Sequence, residues 1–402
     1  MRIGTLTLVY PENDNYGAYL QGYALCRAIN RIEGFNATCL LYSPNLPADA
    51  STRQLWKWSD LRYASTRYNP LIRTVKRIGF MLRSFFRFLR RILRRKTIQG
   101  ERLARFKTFG ELFQKTDRFF FSSEQLAEAQ VDAYVVGSDW VWALFRDHTG
   151  SLVRRAYHGF IPTEKPIFSY AASFGVQPTE QDEMTFVRSF AQNFCTLSCR
   201  EKEGAKLLNS LGFEKARQDV DPTLLLEKDE WNQVTTEPPP RETSKPLVAV
   251  YWLPNDDAER VAGYVKVARL KFPDSQFVVL NPNPIAIEGA VYRSDIGPQD
   301  FLGYIRAADY VITNSFHACV FSCVFEKHFT VFPRYKGDER IQNLLQATQL
   351  ETRLVTEPPQ TDPINLPIDW TNVREKLRAQ ASDSFERLKS DLLDYERTAT
   401  HQ

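Results

Sequence analysis

Histidine is scarce in this chain, with five residues in 402; methionine is scarcer at three, and cysteine numbers six. No Cys pair has CxxC spacing, which argues against a zinc ribbon. The thiols of Cys26, Cys39, Cys195, Cys199, Cys319 and Cys323 read as reduced and buried. Cys195/Cys199 and Cys319/Cys323 are each spaced i, i+4, so metal ligation with His317 is the alternative. No apolar run reaches the ~18 residues of a membrane span. The apolar residues of "IGTLTLVY" are too few for a signal peptide, so a cytosolic protein is expected. There is no GxGxxG, hence no sign of a dinucleotide site, and no repeat of fixed period.

What is there is ordinary for a globular chain: 43% hydrophobic and 25% charged residues. The length favours two domains. The net charge of +4 is unevenly spread. Residues 53–107 hold 17 Lys/Arg against Asp60 and Glu101, a local +15 that leaves −11 for the rest. Such asymmetry points to an anionic partner for that segment alone.

Strand and helix periodicities alternate along the chain. Strands are expected at 2–9, 37–44, within 132–142, within 165–175, and at 196–201, with helices at 17–32, 179–193 and 202–211. A Pro-rich polar stretch, 235–246, reads as a linker. A second alternation follows, with strands at 247–253, 276–282, 309–315 and 328–334 and helices at 256–272, 297–308, 317–326 and 339–350. A long amphipathic helix at 371–398 closes the chain. The expected architecture is α/β: two Rossmann-like domains, 1–234 and 247–360, facing a cleft. The basic insert sits in the first domain, and the C-terminal helix is expected to pack back on it.

On a helical wheel, the core of the insert (76–96) separates into two arcs. Phe85, Leu89 and their apolar neighbours fill one; Arg83, Arg87, Arg90, Arg91 and Arg94 fill the other. This pattern suits a helix on an anionic membrane surface, with Arg83, Arg87, Arg90, Arg94, Phe85 and Leu89 as contacts. Packing on the protein's own body is the competing reading. The aromatics lie on the apolar face, which argues against nucleic acid.

Four short motifs sit at strand ends. In "NYGAYLQGYAL" Gly17 opens a helix whose free N–H groups favour anions, or it serves only a tight turn. In "VVGSDWVWALF" Asp139 is a candidate base, sugar-hydroxyl acceptor or helix cap. Arg200 in "LSCREKEG" stands where a strand becomes a helix, able to fork onto phosphate or carboxylate, or to pair with Glu201 or Glu203. In "TNSFHACVF" Asn314 or Ser315 can cap a helix that carries His317 in its first turn, a placement suited to donating a proton to a bound anion.

Taken in order, "NYGAYLQGYAL", "VVGSDWVW", "FSYAASFG", "SCREKEG", "DVDPTLLL", "ADYVITNSFHACVFSCVF" and "ERIQNLL" resemble the polysaccharide pyruvyl transferase family, over about residues 2–354 and outside the basic insert. The resemblance implies a glycosyltransferase-B-like fold. It also implies transfer of pyruvate from phosphoenolpyruvate to two hydroxyls of one sugar, forming a ketal. Arg200 and His317 then fall at donor positions, with Ser315 beside them and a further cation from Arg334 or Lys336. His317 is the expected acid and Asp139 the expected base or hydroxyl orienter. Asn15, Tyr16, Gly17, Asp139 and Trp140 are candidates for the acceptor side. No metal or other cofactor is expected. The acceptor would be a sugar or lipid-linked glycan at the inner face of the cytoplasmic membrane. Trp140 and Ala143 replace the family's usual Gln and Asn, and Ala318 its usual Gly, which leaves the acceptor open. A nucleotide-sugar glycosyltransferase and a catalytically silent membrane-bound scaffold are the alternatives. No acidic ribose clamp is evident in 247–354, and the presence of Arg200 and His317 speaks against a silent relative.

Overall fold

The structure is a computed structural model describing residues 1–10, 13–42, 99–116, 119–146, 152–153, 161–237, 245–253, 258–281, 286–334, 338–356 and 366–400. The first half begins with β1 (Arg2–Leu6), α1 (Tyr16–Ile29), β2 (Asn36–Cys39), α2 (99–109) and α3 (Ser123–Ala127). It continues through β3 (Ala133–Val136), the antiparallel pair β4 (Phe145–Arg146) and β5 (Leu152–Val153), and β6 (Ile167–Ser169). Then come α4 (Gln181–Ala191), β7 (Ser198–Cys199), α5 (Lys202–Ser210), β8 (Arg217–Gln218) and α6 (Lys228–Val234). The second half comprises β9 (Leu247–Tyr251), α7 (Ala258–Lys271), β10 (Gln276–Val279), β11 (Val291–Tyr292), α8 (Pro298–Ala307), β12 (Tyr310–Thr313), α9 (Phe316–Val324), β13 (His328–Val331) and α10 (Glu339–Thr348). A long helix, α11 (Trp370–Thr400), follows.

Two parallel sheets organise these elements, in the orders β2-β1-β3-β6 and β11-β10-β9-β12-β13. Central strands covered on both faces need unbroken apolar runs, and β9, "LVAVY", is buried at all five positions. The strand order reverses between β1 and β3 in the first sheet and between β9 and β12 in the second. Crevices open at such reversals, outside the strands' carboxyl ends. The segments leaving β1, β3 and β12 there carry Gly17, Asp139 and His317.

The halves meet through α1, which buries every residue except Arg27. A helix apolar all round is one covered all round. Tyr16 stacks on Phe301 of α8 at 4.5 Å between ring centroids, and on Phe106 of α2 at 5.5 Å. α11 runs across both halves: Asp391 accepts from Thr196, Arg387 from α11 pairs with Asp219, and the Trp370 ring meets His328.

Several observed strands are shorter than the apolar runs that predict them, because the run continues into buried residues beyond the strand. β1, expected at 2–9, ends at Leu6, after which Thr7 turns its hydroxyl to the Ser138 carbonyl at 3.1 Å. Residues 53–98 lie outside the described residues, and with them the expected membrane contacts Arg83, Phe85, Arg87, Leu89, Arg90 and Arg94. The end of the expected insert, up to 107, is corrected. It is no free basic surface but part of α2, which buries Phe106 and joins the halves. Arg102, 1% exposed, pairs with Asp14, reaches the Ile296 carbonyl at 3.0 Å and bonds the Tyr16 hydroxyl. Arg105 pairs with Asp300 of α8. Among the described residues, no helix is long and apolar enough to cross a membrane.

Candidate active site

Ser315, two residues beyond β12, caps α9, its Oγ accepting from the Ala318 amide at 3.4 Å. Asn314, the other candidate cap, holds both amide and carbonyl of Leu253 instead. His317 lies in the first turn of α9 and is 8% exposed. Opposite it stands the first turn of α1, capped by Asn15, whose Oδ1 accepts from the Gly17 amide at 2.9 Å and the Ala18 amide at 3.4 Å. The two helix starts touch: a Cβ on Gly17 would sit 2.0 Å from His317 Nδ1. Gly17 is therefore required by contact with the His ring. Two N-termini, each favourable to negative charge, flank one imidazole.

Arg200 enters from the end of β7. Its Nη1 donates to Asp221 at 2.8 Å and its Nε to Glu201 at 3.2 Å, while the guanidinium lies 4.8 Å from the Phe316 ring centroid. Burial alone would lower the Arg200 pKa, but the charges of Glu201, Asp221 and Asp139 raise it further. The guanidinium is permanently charged.

Asp221 is the residue that sequence reasoning passed over. It lies in the motif "DVDPTLLL", where an Asp before Pro-Thr reads as a cap, and it does cap the short turn Pro222–Leu224. Its Oδ1 accepts from the Thr223 amide at 3.0 Å and hydroxyl at 2.7 Å. Its Oδ2 points toward the second half, receiving Arg200 and the Ser138 hydroxyl at 3.3 Å, with His317 Nε2 at 3.6 Å. Burial pushes this carboxyl upward, but His317, Arg200 and Thr223 outweigh it and hold it well below the usual carboxylate range. No sequence signal announces that second oxygen, because its partners lie far apart in the chain.

Asp139 follows β3 with φ 68°, the left-handed region that a non-glycine residue adopts at a cost. Its backbone carbonyl accepts from Val141 and Ser173, and its Oδ1 from the Trp140 amide at 2.9 Å. Its charge is close enough to act on Arg200. Trp140 bridges the halves. Gly175, at φ +74°, leaves room for the indole, since a Cβ there would fall 2.9 Å from the ring. From the other side, Arg340 and Arg334 lie over the ring at 5.0 and 5.6 Å. Arg340 was also missed; Asp338 fixes its guanidinium through two bonds of 3.0 and 3.1 Å. Lys336 lies outside the described residues.

Tyr16 is fully buried between the halves, its hydroxyl donating to the Leu280 carbonyl at 3.2 Å. Burial, partly opposed by Arg102, pushes its phenol up to about 12. Cys319 and Cys323 are buried on α9, and burial raises the Cys319 pKa well above its ordinary value. Among the described residues, no three His, Cys, Asp or Glu side chains converge as metal ligands. A separate concavity lined by Ile161, Lys165, Asn193 and Cys195 lies at the amino end of β6, away from all these groups.

Among the described residues, four of the buried polar atoms that lack a hydrogen-bond partner gather at this site: Arg200 Nη2, His317 Nε2, Trp140 Nε1 and Glu201 Oε2. Each such atom costs about 1–3 kcal/mol unless a ligand satisfies it. Cations and donors dominate the set, which suits a ligand rich in anionic oxygens.

Two parallel sheets, with acid–base and cationic groups converging at their carboxyl ends, define a two-domain α/β enzyme of glycosyltransferase-B-like architecture. The S. aureus MnaA–UDP co-structure shares this fold, with TM-score 0.52 and 12% identity over 98% of this chain and 97% of that one. A UDP-N-acetylglucosamine 2-epimerase from Rickettsia bellii (TM-score 0.49, 11% identity, 98% and 96% covered) and Arabidopsis thaliana UGT89C1 (0.45, 12%, 97% and 98%) are also similar. Among curated proteins, none matches. The family model for polysaccharide pyruvyl transferase matches residues 15–334, and the chain belongs to that family.

Proposed function

We propose that the cleft transfers a pyruvyl group from phosphoenolpyruvate to two hydroxyls of one sugar in a glycan or lipid-linked glycan precursor. The observation that carries this reading is the pairing of Arg200 and His317 from opposite halves on Asp221, each keeping one buried polar atom unpartnered. Family membership supports it. Arg200 Nη2, the helix starts at Gly17 and Ser315, and the cations Arg334 and Arg340 supply charge for the donor's phosphate and carboxylate.

His317 gives a proton to the donor's methylene carbon, which becomes a methyl group, and the neighbouring carbon becomes electrophilic. A sugar hydroxyl bonds to that carbon, losing its proton to Asp139 or to the His just deprotonated. The C–O bond to phosphate breaks, and phosphate leaves with the electron pair. The second hydroxyl then closes the ketal, its proton passing to solvent or phosphate. Domain limits of 1–234 and 247–360 accompany this reading. So does peripheral attachment to the anionic inner face of the cytoplasmic membrane through 53–98, supported by the 14 Lys/Arg of that stretch against Asp60 alone, a local +13.

The test is incubation with phosphoenolpyruvate and a panel of glycosides, measuring phosphate release and product mass. Phosphate release with pyruvate gain in one glycoside, lost in His317→Ala and Arg200→Ala, is expected. Sugar transfer from a nucleotide sugar, with no phosphate release, would replace this reading with a glycosyltransferase.

A further inference from the structure

We infer that Asp221 is a positioning residue that fixes the charge and orientation of His317, forming an acid–carboxylate dyad that exists only while the two halves are together. This deepens the proposed transferase reading and rests on it. The geometry divides the labour of the carboxylate between its oxygens. Oδ1 is spent on Thr223, so the carboxylate cannot rotate without breaking two bonds of 3.0 and 2.7 Å. Oδ2 is thereby aimed across the cleft, 3.6 Å from His317 Nε2. That separation exceeds the 2.7–3.2 Å of an N–H···O hydrogen bond, yet lies well inside ion-pair range. The carboxylate thus faces the ring without accepting a hydrogen bond from it, which leaves Nε2 available to a ligand.

The other face of the ring rests on Gly17. The first turn of α1 carries no acidic residue, and its partial positive charge opposes imidazolium. Of the charged groups around the ring, Arg200 opposes imidazolium as well, while Asp139 and Glu201 act chiefly on Arg200. On the His317 side, Asp338 is engaged with Arg340. Asp221 is therefore the one carboxylate in direct ion-pair reach of His317 among the described residues. Because Asp221 belongs to the first half and His317 to the second, separating the halves would take the carboxylate away from the ring.

The test titrates His317 directly by NMR of histidine-labelled full-length protein, its signal assigned by loss in His317→Gln. An opposite charge within ~4–6 Å moves a titration by about 1–3 pH units. Asp221→Asn is therefore expected to lower the His317 midpoint by about one unit or more, and to move the alkaline limb of kcat for phosphate release by the same amount. An unchanged midpoint in folded Asp221→Asn overturns the dyad. If that variant does not fold, Asp221→Glu serves, keeping the charge but displacing the oxygens. Its midpoint is expected to hold while kcat falls about tenfold or more; wild-type kcat would overturn the proposal. Wild-type protein that releases no phosphate sinks the transferase reading but leaves the NMR result standing.

Discussion

Gly17→Ala is a one-carbon perturbation of the contact between the halves. The added Cβ would lie 2.0 Å from His317 Nδ1 and 2.5 Å from Cε1 and Cγ. Ordinary carbon contacts are about 3.5–4.0 Å, so the imidazole or the start of α1 must retreat by about 1.5 Å. Ring and helix are buried on all sides, so the His has little room to retreat without disturbing Asp221. Overpacking of this kind costs about 1–3 kcal/mol, while the Ala returns up to about 1 kcal/mol of helix propensity. The net loss is about 0–3 kcal/mol, small against the ~5–15 kcal/mol stability of a folded domain. Catalysis should suffer more, because a 1 Å misplacement at a reacting group can cost about 10²-fold. The assay is phosphate release at saturating donor, with a thermal melt as control. Gly17→Ala should lower kcat by about 10²-fold, and in a His317→Ala background it should lower it no further. Wild-type kcat in Gly17→Ala, or equal losses in both backgrounds, would refute the coupling.

The Asp221 carboxylate, held well below its usual range, contributes stability at any pH above the unfolded value of about 4 and loses it as pH falls. The melting midpoint of the wild type should therefore fall more steeply below about pH 5 than that of Asp221→Asn, while Asp221→Asn is the less stable of the two at pH 7. Trp140→Gln removes the ring beneath Arg334 and Arg340 and should lower stability by about 1 kcal/mol. It should also change which glycosides of a panel are accepted; an unchanged panel would count against Trp140 as an acceptor-side group. The full chain should co-sediment with vesicles containing anionic lipid and dissociate as salt rises, while neutral vesicles bind poorly. Absence of binding at low salt would remove the membrane proposal.

The α/β alternation was legible because parallel strands covered on both faces must be written as apolar runs, as in "LVAVY" and "DYVITN". The two-residue strand β11 was not, since both its residues are exposed and no run marks them. Arg200, Asp139 and His317 could be read at strand ends, where loops of such sheets bind ligands. Asp221 looked like a turn cap because half of it is one. Arg340 could not be weighed without Asp338 holding it over Trp140. The burial of Tyr16 was hidden for the same reason: it depends on Phe301, Arg102 and Leu280, all far along the chain. Local pattern writes the elements and strand ends; partners brought from the opposite half decide which side chains face the cleft.

In the proposed reaction, Arg200 and His317 hold phosphoenolpyruvate between the two halves. Titration calorimetry of the full-length protein with phosphoenolpyruvate, and separately with UDP-N-acetylglucosamine, tests it most directly. Phosphoenolpyruvate should bind, and its binding should weaken by about tenfold or more in Arg200→Ala, as expected for loss of a charged hydrogen bond worth about 1.5–3 kcal/mol. No comparable binding of the nucleotide sugar is expected. Tight binding of the nucleotide sugar with no heat from phosphoenolpyruvate would contradict it.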